Sequence, residues 1–184
     1  MNYCSHCGSA RLVTKIPDGD HLPRFVCEDC QTIHYQNPKV VTGCLPQWED
    51  KVLLCKRAIE PRYGLWTLPA GFMENKESLE QAAARETWEE AHAQVEHLQL
   101  YVVMSLSRIS QIYIIFRADL KDLTFSAGPE TLEARLFRQD EIPWEQLAFP
   151  IIHRTLTYYF QDRVTGGFPV HVGDMMIPSS TSNG

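Results

Sequence analysis

The chain has no apolar run long enough to span a membrane, which excludes a helical membrane protein. Its first residues, MNYCSHCGSA, are neither basic nor continuously apolar, so no signal or transit peptide is expected. Basic residues are also in short supply. Seventeen Lys and Arg against 23 Asp and Glu leave a formal charge of −6. That balance argues against a dedicated nucleic-acid binder, whose footprint is basic. It leaves a nucleotide substrate open, because metal ions can neutralise phosphates. There is no internal repeat. Cysteine is sparse at six residues, yet four of them come in two close pairs.

What is present suits a packed protein. The apolar content of 44% is enough for a core, and 184 residues suit one main domain plus a small module. The richest segment is Gly71 to Ala93, GFMENKESLEQAAARETWEEAHA. It places Gly71, Glu77, Arg85, Glu86, Glu89 and Glu90 in fixed register. Residues three and four apart are neighbours on a helix, so Glu86, Glu89 and Glu90 share one face. Three adjacent carboxylates repel one another unless a cation joins them, and carboxylate oxygens suit hard cations such as Mg2+. Arg85 lies one turn before Glu89 and can orient it. Ser78 with Gln81 fits a capping box, and Leu79, Ala82, Ala83, Thr87 and Ala91 supply packing positions. Ahead of the helix, Leu65 to Gly71 reads as a short apolar strand broken by Pro69 and Gly71. A tight loop at Gly71 can aim a backbone carbonyl at the same ion. The competing view is a merely solvated acidic helix face.

The second signal is Cys4-Ser-His-Cys7 and Cys27-Glu-Asp-Cys30, with nineteen residues between the pairs. This is the spacing of a four-thiolate structural zinc site. Two disulfides are the alternative, but nothing suggests secretion. His6 and His21 read as loop residues, since four thiolates complete the shell. Cys44 and Cys55 sit in apolar, strand-like runs and read as buried thiols. Reduced cysteines without a targeting segment point to the cytoplasm.

The chain divides at the turn signal Asn37-Pro38. Residues 1–36 form the ribbon, with strands at 11–16 and 24–27. Residues 37–165 form the main domain, and 166–184 an extension that is partly mobile, since Pro178 to Gly184 has linker composition. In the main domain, 40–45 and 51–56 read as a hairpin around Trp48-Glu49-Asp50. Further strands fall at 100–106, 111–120 and 134–137, with a closing helix at 149–162. The fold class is α+β, an α/β/α sandwich with a mixed sheet plus a small N-terminal zinc ribbon.

At G-x5-E-x7-R-E-x2-E-E the chain resembles the Nudix hydrolases, whose box it matches. Two positions depart: Thr87 stands for an aliphatic residue, and His92 for a glycine that closes the helix with positive φ. Neither is a metal ligand. The ribbon, then YQNPK, LLCKR, GLWTLPAGF, GPETLEARLF and DEIPWEQLAF, resemble the zinc-ribbon Nudix pyrophosphatases typified by a plant chloroplast enzyme acting on FAD and ADP-ribose. The resemblance implies metal-dependent cleavage of a nucleoside diphosphate linked to another group. FAD would give FMN and AMP; ADP-ribose would give AMP and ribose 5-phosphate. Residues 106–110, Leu-Ser-Arg-Ile-Ser, lack a proline carried there by some bacterial ADP-ribose pyrophosphatases, which weakens a pure ADP-ribose assignment.

The resemblance further implies Mg2+ or Mn2+ held by Glu86, Glu89, Glu90 and the Ala70 carbonyl. Gly71 and Glu77 support the motif, Arg85 orients it, and a general base comes from the box or a later loop. Glu130 and Glu133, after Gly128-Pro129, are loop candidates for that base. Tyr35, Arg57, Trp66 and Phe72 are candidate stacking partners for flat rings, although aromatics in strands are more often core. The alternative function is a ligand-sensing regulator whose ribbon binds nucleic acid or protein. Intact box carboxylates and a ribbon without basic excess favour hydrolysis. A homodimer is a further expectation, with the ribbon bracing it or covering the cleft.

Overall fold

A computed structural model describes residues 1–175. The chain falls into two compact units, Met1–Asn37 and the part from Pro38 onward. In the first, β1 (Leu12–Lys15), β2 (Arg24–Cys27) and β3 (Ile33–His34) form an antiparallel sheet in the order β1-β2-β3. β3 is too short to leave a sequence pattern. The two cysteine pairs fold alike. Cys4 C=O accepts from Gly8 N–H at 2.9 Å, and Cys27 C=O from Gln31 N–H at 2.9 Å. Each turn ends in a positive φ, 77° at Gly8 and 59° at Gln31.

The second unit is built on β4 (Lys39–Trp48) and β5 (Lys51–Arg57), joined through Glu49-Asp50. These strands pair only at Gln47 with Val52 and Trp48 with Lys51, then part. Into the gap come β6 (Trp66–Thr67), on β5, and β7 (Ala70–Phe72), on β4. The apolar lead-in broken by Pro69 is thus two strands, one for each side of the split. Then follow helix α1 (Leu79–Ala91), β8 (Val95–Leu106), β9 (Gln111–Leu120), β10 (Thr131–Phe137), helix α2 (Pro150–Thr165) and β11 (His171–Asp174). The sheet order is β10-β5-β4-β9-β8-β11. β4 runs parallel to β9 and β11 parallel to β8, whereas β8–β9 and β5–β10 are antiparallel. The sheet is therefore mixed.

Strand alternation sends side chains to both faces. Leu45, Val52, Leu54 and Ile115 pack with Ile151, Ile152, Leu156 and Tyr159 of α2. Cys44, Phe116 and Ala118 pack with Ala83 of α1, and Leu53 and Cys55 with Ala91. Each large side chain buried this way contributes about 1.5–3 kcal/mol. Burial pushes the Cys44 thiol up to about 12 and the Cys55 thiol upward as well, so both are inert packing groups.

Within the expected extension 166–184, residues 171–174 form β11, a strand the sequence does not announce. A four-residue HVGD strand has too little β-branched character to announce itself. It is held by Asp162, whose Oδ2 accepts from Tyr101 Oη at 2.6 Å and lies 2.7 Å from His171 Nε2. Tyr158 stacks flat on His171, with ring centroids 4.0 Å apart. The tail Pro178 to Gly184 lies outside the described residues. Among those described, no helix is long and apolar enough to cross a membrane.

Candidate active site

Helix α1 begins where the sequence places it. Ser78 Oγ accepts from Gln81 N–H at 3.2 Å, and Gln81 Oε1 accepts from Ser78 N–H at 2.8 Å. The helix ends at His92 with φ 46°, satisfied by a bond from its N–H to Trp88 C=O. The expected positive φ is thus present, and His accepts it in place of the family's glycine at a cost of about 1 kcal/mol.

Arg85 organises the carboxylates. Its Nε and Nη2 grip Glu77 Oε2 and Oε1 at 3.0 and 2.8 Å. Nη1 donates to Glu86 Oε1 at 2.8 Å and Glu89 Oε2 at 3.0 Å, while Nη2 also donates to Phe72 C=O at 3.2 Å. Both Glu77 oxygens are engaged, and hydrogen bonding to Arg85 holds its carboxyl down at about 2. Glu77 is therefore a strut beneath the guanidinium. Glu86 and Glu89 each give one oxygen to Arg85, which leaves the other oxygen of each outside that grip.

Burial raises the Glu86 carboxyl, against the pull of Arg85. Glu90 is pushed up to about 8, by burial first and then by the Glu86 charge, with Arg57 and a bond from the Ala70 backbone opposing. Burial leads in both, but Glu90 also feels the Glu86 charge and Glu86 the Glu89 charge, a mutual repulsion that a bound cation would relieve. Gly71 gives the same indication. A Cβ there would lie 2.2 Å from Glu86 Oε2, so the strand passes the carboxylate with no room for a side chain. The donor set is all oxygen and fits a hard divalent ion.

One later loop is tied to the end of α1. Ser126 N–H donates to Ala91 C=O and Gly128 N–H to Glu90 C=O, each at 2.9 Å. A Cβ on Gly128 would sit 1.8 Å from Glu89 C=O. His92 Nδ1 adds a contact with Ser126 Oγ at 3.0 Å. This seating carries Glu130 to the wall of a cleft of about 960 Å³ that also includes Glu86, Glu89 and Glu90. Glu133 is placed differently, in β10 opposite Lys56 and outside the cleft lining.

Among the aromatic and basic candidates, Arg57 and Phe72 line the cleft. Arg57 lies over the Phe149 ring at 5.3 Å, and Lys39 over Phe72 at 5.0 Å. Trp66 does not line it. It is 5% exposed and packs edge-on against Phe137 in the core. Tyr35 belongs to the first unit, where Arg24 lies over its ring at 5.1 Å. Sequence reading missed Trp88, Tyr113, Phe149 and Met175, which also line the cleft. Tyr113 and Phe149 come from a strand and a helix start far from the acidic segment, so no local spacing links them to it.

In the ribbon, Cys4, Cys7, Cys27 and Cys30 bring their sulfurs within 4.8 Å of one another. Cys4–Cys30 and Cys7–Cys27 are separated by 3.7 and 3.6 Å. A tetrahedral zinc with bonds of about 2.3 Å needs sulfurs about 3.8 Å apart. The spacing fits structural zinc, and neither His6 nor His21 belongs to the cluster.

Comparison with known proteins agrees with this geometry. The NUDIX domain family matches residues 37–160 and the Nudix N-terminal zinc-ribbon family residues 2–36. A Nudix hydrolase from Nitrosomonas europaea of known structure is 57% identical, covering 95% of this chain and 99% of that one, with a TM-score of 0.91. The NAD-capped RNA hydrolase NudC of Photobacterium profundum is 32% identical over 146 residues, 78% of this chain and 52% of that protein. NudC of Escherichia coli O157:H7 is 29% identical over 144 residues, 77% and 53% respectively. The chain thus spans about half the length of the curated relatives it matches. With both family matches abutting at residues 36 and 37, the chain belongs to the Nudix hydrolases and carries their N-terminal zinc ribbon.

Proposed function

We propose that this Nudix hydrolase cleaves the pyrophosphate of a nucleoside diphosphate linked to a second bulky group. FAD, ADP-ribose and NAD are the candidates. The observation that carries this reading is the cleft. At about 960 Å³ it is near the upper end of small-molecule sites. Its carboxylates adjoin an apolar wall of Leu106, Ile109, Tyr113, Phe149, Ile151 and Met175. A triphosphate tail would leave that wall unused, whereas a second ring system would bury it. FAD and ADP-ribose are supported by the resemblance of the motifs, and NAD by the relatives named as NAD-capped RNA hydrolases. The same relatives support a capped RNA end as a larger member of the class.

Glu86, Glu89, Glu90 and the Ala70 carbonyl would hold the divalent ions, which supply charge neutralisation and a more acidic water when bound. Arg85 keeps Glu86 and Glu89 aimed. Glu130, exposed on the cleft wall and free of Arg85, takes the proton from the attacking water. Water oxygen bonds to one phosphorus as the bond from that phosphorus to the bridging oxygen breaks. The bridging oxygen leaves with the other phosphate, so two phosphomonoesters result. Arg57, beside Phe149, is suited to a substrate ring or phosphate. The reduced thiols and structural zinc suit a cytoplasmic enzyme.

The test is a panel of FAD, ADP-ribose, NAD, NADH, diadenosine polyphosphates and 8-oxo-dGTP with Mg2+ or Mn2+, with products resolved by chromatography. The reading expects AMP plus a second monophosphate. It also expects kcat/KM at least about tenfold above any triphosphate, or about 1.4 kcal/mol. A triphosphate as the best substrate would overturn it.

A further inference from the structure

Trp88 of helix α1 is 49% exposed and joins none of the apolar clusters of the core. The buried side of that helix is Ala82, Ala83, Thr87 and Ala91. Residues three and four apart share a helix face, so Arg85, Trp88, Glu89 and His92 lie together. All four line the cleft. Core packing therefore does not account for the indole, yet the ring is held. His92 packs edge-on to it, with ring centroids 5.5 Å apart and planes at 63°. His92 Nδ1 in turn lies 3.0 Å from Ser126 Oγ, on the loop that Ser126 and Gly128 seat against the end of α1. A glycine at position 92 would close the helix without the backbone cost of a φ of 46°, but it would leave the indole without this support.

A braced aromatic face beside oxygen ligands for a divalent ion suits a nucleotide, since the ion takes the phosphate and the ring takes the base. Glu89 adjoins Trp88 in the chain, which keeps the indole within a nucleoside's reach of a metal-bound phosphate. The apolar wall of Leu106, Ile109, Tyr113, Phe149, Ile151 and Met175 comes from other elements and is left for the second group. We propose that Trp88, braced by His92, stacks the nucleoside base of the substrate, which is adenine in FAD, ADP-ribose and NAD alike. His92 is a positioning residue that acts through the indole. The inference rests on the pyrophosphatase reading above and adds the site of the base to it.

The experiment compares wild type with Trp88→Ala, Trp88→Phe and His92→Gly in the full chain with its zinc. One arm measures binding of AMP and of ribose 5-phosphate by calorimetry with Mg2+. Both carry a phosphate, but only AMP carries a base. The other arm measures kcat and KM for ADP-ribose, whose one aromatic ring system is adenine. Trp88→Ala should bind AMP at least about tenfold more weakly and raise KM for ADP-ribose to match. Its kcat and its affinity for ribose 5-phosphate should change by less than about twofold. Trp88→Phe should restore most of the loss, because a phenyl face still stacks. His92→Gly should weaken AMP in the same selective way, by about threefold. Unchanged AMP affinity in Trp88→Ala, or equal losses for AMP and ribose 5-phosphate, would overturn the inference. If AMP binds through Trp88 while FAD, ADP-ribose and NAD stay intact, the pyrophosphatase reading fails and the ring site stands. If Trp88→Ala cleaves ADP-ribose as well as wild type does, the ring site fails and the pyrophosphatase reading stands.

Discussion

Glycine at position 71 sets how near the lead-in strand comes to the acidic helix. Since a Cβ would fall 2.2 Å from Glu86 Oε2, Gly71→Ala must push that carboxylate off Arg85 or lift β7. Turnover should fall by about a hundredfold, a loss that a 1 Å misplacement can cause, while circular dichroism stays native. Unchanged turnover would show that Glu86 need not sit there. Glu90 makes a different prediction. Its carboxyl is raised to about 8, so the fold keeps a proton that the unfolded chain releases near its ordinary value. Between those values the folded state binds more protons, and stability without Mg2+ falls as pH rises. Glu90→Gln lacks that titration. In Mg2+-free buffer the variant should gain on wild type in denaturant midpoint from about pH 5 to pH 8. Added Mg2+ should narrow the gap. Parallel pH profiles would contradict the burial of a titrating Glu90.

At the scale of elements, the loop 126–130 is a cap on α1 as well as a carrier for Glu130. Gly128→Ala would place a methyl 1.8 Å from Glu89 C=O, prising off the donors to Glu90 and Ala91. The expected cost is about 1–3 kcal/mol in thermal or denaturant unfolding, with a drop in turnover beyond what stability explains. A variant as stable and active as wild type would show the loop to be a passive connection. This element also marks where sequence reading stops. The capping box at Ser78, the left-handed close at His92 and the face shared by Glu86, Glu89 and Glu90 were all legible, because each follows from spacing along one helix. β9, expected at 111–120, matches because Ile112 to Phe116 is an unbroken run of β-branched and aromatic residues, as a strand buried on both faces requires. β10 begins at Thr131, three residues before the expected start, because its pairing with β5 recruits polar residues. Trp66 looked like a ring-stacking candidate, but strand position alone cannot separate cleft from core. Tyr113, Phe149 and Met175 reach the cleft only through the sheet order and the placement of α2. No local pattern records those.

The whole molecule has two units with separate sources of stability. The ribbon's sheet is small, and its four thiolates supply a zinc site contributing on the order of 10 kcal/mol at neutral pH. The part from Pro38 onward has its own apolar core on both faces of the sheet. Cys4→Ser or Cys27→Ser should therefore lose zinc by elemental analysis and expose residues 1–36 to protease, while the remaining unit keeps a cooperative transition. Wild type purified without chelator and lacking zinc would contradict the ribbon assignment. The central claim is that the acidic face of α1 is where the pyrophosphate is cleaved. Turnover of Glu89→Gln and Glu90→Gln at saturating Mg2+, on the panel's best substrate, tests it most directly. The account predicts a loss of at least about a hundredfold in each, with the fold intact, because Glu89→Gln leaves Arg85 its bonds to Glu77 and Glu86, and Glu90→Gln replaces a carboxyl that burial already holds up at about 8. Activity within about tenfold of wild type in either variant would contradict that residue's role as a ligand.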